Sequence, residues 1–375
     1  MTVPDEPVIP LARAQIGEAE EAYVSEVLRS RILALGPMRR RFETAFAEFC
    51  GTSHAVAVSS DTAGLHLALR LAGVRAGDEV ITTAVSFVAS ANAILYQGAT
   101  PVFVDVDDTT FNLDPGAIEA AVTPRTRAIL PVHIFGYPCD LDRIDDIASR
   151  QELAVVEDAC QAVGAQRNGR RMGSWGNSAV FAFYPNKQMT TGEGGMVTTD
   201  DEQVRAGLES LSNQGRADDD EWLLHDRLGF NYRMDELSAA VGLAQVERLE
   251  HILATRRAVA DTYAELLAGI EGVTLPCENE HLVERSWFVY VVRLDPGIDR
   301  TSVMEGLRSR GVSCKPYLPA IHLQPFYREL GHRPGELPIA EAVARSTVAL
   351  PFFTDLQRED QERVARALRE VVAGL

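Results

Sequence analysis

Cysteine, basic charge and long apolar runs are all scarce in this chain of 375 residues. Its five cysteines (Cys50, Cys139, Cys160, Cys277 and Cys314) are scattered and form no CxxC pair. An odd, dispersed set in a long chain excludes a disulfide framework and a structural zinc site, and fits a reducing cytoplasm. Lys and Arg total 36 against 54 Asp and Glu, a formal charge of −18. So acidic a surface disfavours nucleic acid and anionic membrane as partners, because phosphate backbones are held by Lys and Arg. A small anionic ligand needs only a local site. No basic tract or helix-turn-helix pattern supports DNA binding. No apolar run approaches the length of a membrane span, and the start MTVPDEPVIP lacks the basic and apolar segments of a secretory leader. The expectation is a soluble, cytoplasmic protein with no metal site, no nucleic-acid partner and no membrane partner.

The length suggests two domains, and hydrophobic residues at 46% supply a substantial core. An opening helix is expected over Ile16–Ser30, with acidic residues early and Arg29 late. After Gly51 short β-branched runs alternate with helical stretches. HAVAVSS, EVITTAV, TPVFVDVD, AILPVHIF, LAVVEDA, SAVFAFY and GGMVTT read as strands. TAGLHLALRLAGV and FVASANAILYQ read as helices. Such alternation indicates an α/β fold with a mostly parallel sheet covered on both faces. From about residue 200 the texture changes. One long helix is expected from Met234 to about Ala260, then a strand at Trp287–Leu294 and helices at Thr301–Arg310 and Asp360–Val372. LQPFYRELGHRPGELP reads as loop. The expected division is a large domain over 1–248 and a smaller C-terminal α+β domain over 249–375. The first 15 or so residues suit either.

In open α/β sheets, ligands bind outside the carboxyl ends of the strands. SSDTAGLHLAL (Ser59–Leu69) opens a helix that is apolar almost all round, and its free N–H groups suit an anion. An ordinary cap by Ser60 or Asp61 accounts for the same residues. VVEDACQA ends a strand at Asp158, with Gln161 three residues on. A carboxylate there can hold a cationic ring nitrogen or simply cap the next turn. FAFYPNKQMTTGEGGMV sets Lys187 after an apolar strand. A buried lysine has a depressed pKa and forms Schiff bases, whereas most lysines are solvated. Gly192, Gly194 and Gly195 allow close backbone approach or merely a turn. GFNYRMDELSAAVGLAQ places Asn231 and Arg233 before a helix, which by itself is a loop and a packing helix. Taken together, a helix N-terminus, an aspartate and a lysine match the binding needs of pyridoxal phosphate.

In order and spacing, the chain resembles the DegT/DnrJ/EryC1/StrS aminotransferases of the aspartate-aminotransferase fold (PLP fold type I). Its markers are TAGLHLAL, FVASANAI, GATPVFVDVD, VEDACQA, NKQMTTGEGG, NYRMDELSAA and KPYLPAIHLQPFY, and the likeness runs from Ile9 to the last helix. That fold carries a seven-stranded sheet in the large domain. The resemblance implies that Lys187 forms the Schiff base with pyridoxal 5'-phosphate and that Asp158 pairs with its ring nitrogen. It places Gln161 at the phenolic oxygen, Phe87 on the ring face, and Ser60, Asp61 and Thr62 at the phosphate. Asn231 would reach the phosphate of the neighbouring subunit, implying a homodimer with shared active sites. Tyr317 and His322 would lie near the sugar. Two positions depart from the family. Ala182 stands where a phosphate-binding serine is common, and Asp61 where small residues are usual. Asp61 is therefore expected to offer its backbone N–H and turn its side chain away, toward a cation, with Thr62 and Asn231 supplying the contacts that Ala182 lacks.

The implied activity is transfer of an amino group from L-glutamate to a nucleoside-diphosphate keto-sugar, with 2-oxoglutarate released and pyridoxamine 5'-phosphate as the intermediate cofactor form. A 4-keto-6-deoxyhexose is the expected sugar. A 3-keto sugar or keto-cyclitol is the alternative, and a PLP-binding regulator without turnover is the alternative of a different class. Relatives that dehydrate sugars carry histidine in place of the lysine, so Lys187 points to transamination.

Overall fold

The computed structural model describes residues 7–217 and 223–375. Seven five-residue strands build the large sheet: β1 (His54–Val58), β2 (Glu79–Thr83), β3 (Thr100–Val104), β4 (Thr126–Leu130), β5 (Ala154–Asp158), β6 (Ser178–Ala182) and β7 (Gly195–Thr199). Their order is β1-β7-β6-β5-β4-β2-β3. Every pairing from β6 to β3 is parallel, and β7 alone runs against both its neighbours. The mostly parallel sheet expected from the sequence is the one observed.

Successive side chains of a strand point to opposite faces, and the core divides accordingly. Ile81, Ile129, Val155, Phe181 and Met196 meet Phe42, Phe46, Ile144 and Ala240 on one face. Their neighbours Val80, Leu130, Val156, Val180 and Val197 meet Leu65, Leu69, Ile94 and Leu208 on the other. Burial on both faces is why these strands read as continuous apolar runs.

A second sheet is antiparallel, in the order Val273–Thr274, Tyr290–Leu294, Thr347–Leu350, Lys315–Pro316. Helices Leu249–Leu267, Arg300–Ser309 and Arg358–Ala373 cover it through Tyr263, Leu307 and Leu368. Ile9 bridges to Val312, so the described part of the N-terminal segment joins this side.

Three local expectations need correction. The long helix over Met234–Ala260 is two helices, Glu236–Glu247 and Leu249–Leu267, meeting at Arg248. There the guanidinium is held by Glu20 at 2.7 Å and by the backbone oxygen of Gln15 at 2.9 Å. The stretch read as loop holds a helix, Pro325–Glu329, and runs into a second, Pro338–Ser346. Both begin with proline, whose missing N–H costs nothing in a first turn. The strand Thr347–Leu350 had no signal beyond an apolar run. Among the described residues no helix is long and apolar enough to cross a membrane.

Candidate active site

The carboxyl ends of β5 and β6 and the N-terminus of the helix Asp61–Leu71 converge on a cavity of about 570 Å³. Lys187, Asp158 and Gln161 line it, with Phe87 and Tyr317. Ser60, Asp61, Thr62 and Ala182 line it as well.

Lys187 follows β6 in a turn closed by its own N–H to the Tyr184 carbonyl, at 2.9 Å. Its Nζ stands 4.2 Å from the centre of the Phe288 ring. Burial lowers the amine's pKa, and Cys160, Asp61 and Asp158 only partly oppose that. The amine therefore becomes neutral, and nucleophilic, at a lower pH than an exposed lysine.

Asp158 ends β5 and is 4% exposed. Its carboxylate accepts from the Ser90 hydroxyl at 2.6 Å and from the Cys160 N–H at 3.1 Å. The Ser86 and Ser90 hydroxyls lie 2.8 Å apart, extending the chain of hydrogen bonds. The preceding residue, Glu157, points to the other face and is fully buried. There it accepts from His133 Nε2 and from the N–H groups of Gly173 and Trp175. His133 Nδ1 accepts the Cys139 N–H at 3.0 Å, which leaves Nε2 as the nitrogen that meets Glu157. Gln161 is oriented by the Phe135 N–H on its side-chain oxygen at 3.0 Å.

At the start of the helix Asp61–Leu71, Ser60 is the N-cap, its hydroxyl accepting from the Ala63 N–H at 3.1 Å. Asp61 is the first helical residue. It lines the cavity. Burial raises its pKa, Lys187 opposes that, and Asp158 adds to it. Gly195, first residue of β7, passes so close that a Cβ there would stand 2.7 Å from the Asp61 nitrogen.

One residue expected near the sugar is elsewhere. His322 is fully buried, its Nε2 3.3 Å from Glu341, beside the Phe103 and His332 rings. The 3-10 turn Ile321–Leu323 turns it into the core, and Tyr317 and Leu318 take the cavity wall instead. Asn231 is exposed and bridges Asn213, away from this cavity. Sequence reasoning missed Ser86, Ser90, Asn186, Glu193 and Phe288, which also line the cavity. Ser90 had a usable signal, since it lies three residues after Phe87 on the same helical start. Phe288 had none, being distant in sequence.

The residues fit pyridoxal phosphate. Phe87 leaves 60% of its surface open for a ring to cover, the Asn186 amide oxygen is buried without a partner, and a carboxylate and an enclosed amine share one wall. Among the described residues no cluster of three or more His, Cys, Asp or Glu could hold a metal ion.

The model of the DegT/DnrJ/EryC1/StrS aminotransferase family matches residues 14–369. The chain is 42% identical over 373 residues to the GDP-perosamine synthase of Caulobacter vibrioides, covering 98% of this chain and 99% of that one. Among solved structures, S. venezuelae DesV in complex with a ketimine intermediate is 37% identical, with a TM-score of 0.91 and 97% and 98% of the two chains covered. The PLP form of the putative sugar aminotransferase Spr1654 from Streptococcus pneumoniae is 28% identical, with a TM-score of 0.94 and coverage of 98% and 99%.

Proposed function

The chain belongs to the DegT/DnrJ/EryC1/StrS aminotransferase family, and from that premise we propose that it moves the amino group of L-glutamate to a nucleoside-diphosphate 4-keto-6-deoxyhexose. The observation that carries this reading is the pairing of an enclosed lysine amine with a hydrogen-bonded carboxylate on one cavity wall. The identity to a GDP-perosamine synthase supports the choice of sugar.

Lys187 would hold the cofactor through its amine, with Asp158 to serve its ring nitrogen, Gln161 its phenolic oxygen and Phe87 its ring face. Ser60, Asp61 and Thr62 meet its phosphate, joined by Asn231 of the partner subunit in a homodimer. When bound, the cofactor supplies an electron sink for the α-carbon of the amino donor. Asp158, held by Ser90, keeps a proton on the ring nitrogen. Once displaced by the amino donor, Lys187, whose burial favours the neutral amine, would carry the proton taken from the donor's α-carbon. Phe288, Tyr317 and Leu318 wall the cavity and exclude water from that transfer.

The test is a panel of nucleotide-linked 4-keto sugars, 3-keto sugars and a keto-cyclitol, read by mass spectrometry for amine formation with glutamate. Amine from a 4-keto-6-deoxyhexose is expected, and turnover of the cyclitol alone would refute the substrate. Lys187→Ala should lose both turnover and the visible absorbance of the lysine-bound cofactor.

A further inference from the structure

We propose that the buried pair His133–Glu157 positions Gln161 for the cofactor, by fixing the turn whose Phe135 N–H decides which end of the Gln161 amide faces the phenolic oxygen. This rests on the reading that the cavity holds pyridoxal phosphate. His133 and Glu157 are fully buried and do not line the cavity themselves. An apolar pair of the same volume would pack there without the desolvation of two ionisable groups. What the ionisable pair adds is direction.

An amide presents an acceptor at one end and two donors at the other. The Gln161 side-chain oxygen accepts the Phe135 N–H at 3.0 Å. A backbone N–H only donates, so this contact sets the orientation of the amide. The NH2 end is left for an acceptor in the cavity that Gln161 lines. The phenolic oxygen of a bound cofactor is such an acceptor when ionised. The placement of that NH2 end therefore depends on where the Phe135 N–H stands.

Phe135 has a φ of 52° and Gly136 a φ of 82°. A phenylalanine keeps a left-handed backbone only where its surroundings impose one. Here the turn is held from several sides. The His133 N–H donates to the Asp158 carbonyl at 3.1 Å. The His133 ring accepts the Cys139 N–H at Nδ1, at 3.0 Å, and meets Glu157 through Nε2, at 3.1 Å. Glu157 is itself held by the N–H groups of Gly173 and Trp175. Asn112 accepts the Ile134 N–H and donates to the Tyr137 and Pro138 carbonyls. Neighbours on a strand face opposite ways, so β5 gives Asp158 to the cavity and Glu157 to the His133 ring. One strand thus places the carboxylate for the ring nitrogen and, through the turn, the amide for the phenolic oxygen.

The test is the midpoint pH at which the absorbance of the lysine-bound cofactor changes, in the native holoenzyme, His133→Asn, Gln161→Leu and the double variant. Asparagine can still accept the Cys139 N–H but is too short to reach Glu157. A donor on the phenolic oxygen favours its ionised form, so losing that donor raises the midpoint. Gln161→Leu should raise it by about one pH unit, and His133→Asn by about half a unit. In the Gln161→Leu background His133→Asn should add nothing. The other titratable groups of the cavity, Asp61, Asp158, Cys160, Tyr184, Glu193 and Tyr317, are the same in every variant and cancel in the comparison. A merely structural role would lower the melting temperature and leave the midpoint in place. A native midpoint in folded His133→Asn, or the same shift with and without Gln161, would overturn the inference. Glu157→Gln, which keeps one side-chain oxygen, replaces His133→Asn if that variant does not fold, with the same results expected. An unmoved midpoint in Gln161→Leu would show that Gln161 does not serve the phenolic oxygen, and the inference fails there too. If the native chain develops no lysine-bound absorbance at any pH, it is the cofactor reading itself that fails.

Discussion

Ser90 donates its hydroxyl to Asp158 at 2.6 Å and so helps decide where that carboxylate points. Ser90→Ala leaves Asp158 with the Cys160 N–H alone. The expected result is a fall in kcat of about tenfold with little change in KM for glutamate, and recovery in Ser90→Thr. A purely structural role would instead lower thermal stability without separating kcat from KM. Lys187 carries a pH prediction. Its depressed pKa means that the folded apoprotein disfavours the charged amine, so this group's contribution to stability is present at high pH and is lost as pH falls through the folded value. Lys187→Met apoprotein should therefore gain melting temperature over the native chain at neutral pH, and gain less as pH rises toward about 10. Lys187 and Asp158 stood out in the sequence because charged residues at the ends of apolar strands are conspicuous. His322 misled for the opposite reason. A histidine in a polar-looking stretch gives no sign that a 3-10 turn will bury it against Glu341.

At the scale of elements, the cavity wall at Ser60 and Asp61 depends on how closely β7 passes the helix Asp61–Leu71. Gly195→Ala places a methyl group against backbone atoms that cannot rotate away. The helix N-terminus must then shift, and cofactor affinity should drop at least about tenfold while far-ultraviolet circular dichroism stays native. An unchanged affinity would mean that the turn has room to move. The helix Pro37–Cys50 holds a different strain. Glu43 is buried against Arg39 and the Ala57 N–H, and burial pushes its pKa up to about 7 despite both partners. A raised carboxyl pKa contributes stability that is full below its unfolded value and is lost as pH rises through the folded one. Glu43→Gln should therefore gain melting temperature relative to the native chain as pH goes from about 5 to about 8. A pH-independent difference would show that Arg39 keeps Glu43 ionised throughout. The proline-led helices Pro325–Glu329 and Pro338–Ser346 escaped the sequence reading because Pro and Gly at close spacing mark helix starts and loops alike.

For the whole molecule, the exposed Asn231 gives the shared-site proposal its sharpest test. If Asn231 serves the neighbouring subunit, Lys187→Ala and Asn231→Ala chains should complement each other when mixed and refolded, because each mixed dimer regains one intact site. Random pairing predicts about a quarter of native activity. No recovery from a well-mixed dimer would mean that Asn231 acts within its own chain. The seven strands, the parallel sheet and the residues at its carboxyl edge were determined by the sequence alone. Burial on both faces forces continuous apolar runs, and breaks in those runs mark the strand ends where charged groups must sit. What only the tertiary structure decided lies between distant segments. It brought Phe288 over Lys187 and Tyr317 into the same cavity, tied Ser90 to Asp158, and pressed Gly195 against the Ser60–Asp61 turn. Those outcomes turn on close packing between elements far apart in the chain, which no local pattern of residues encodes.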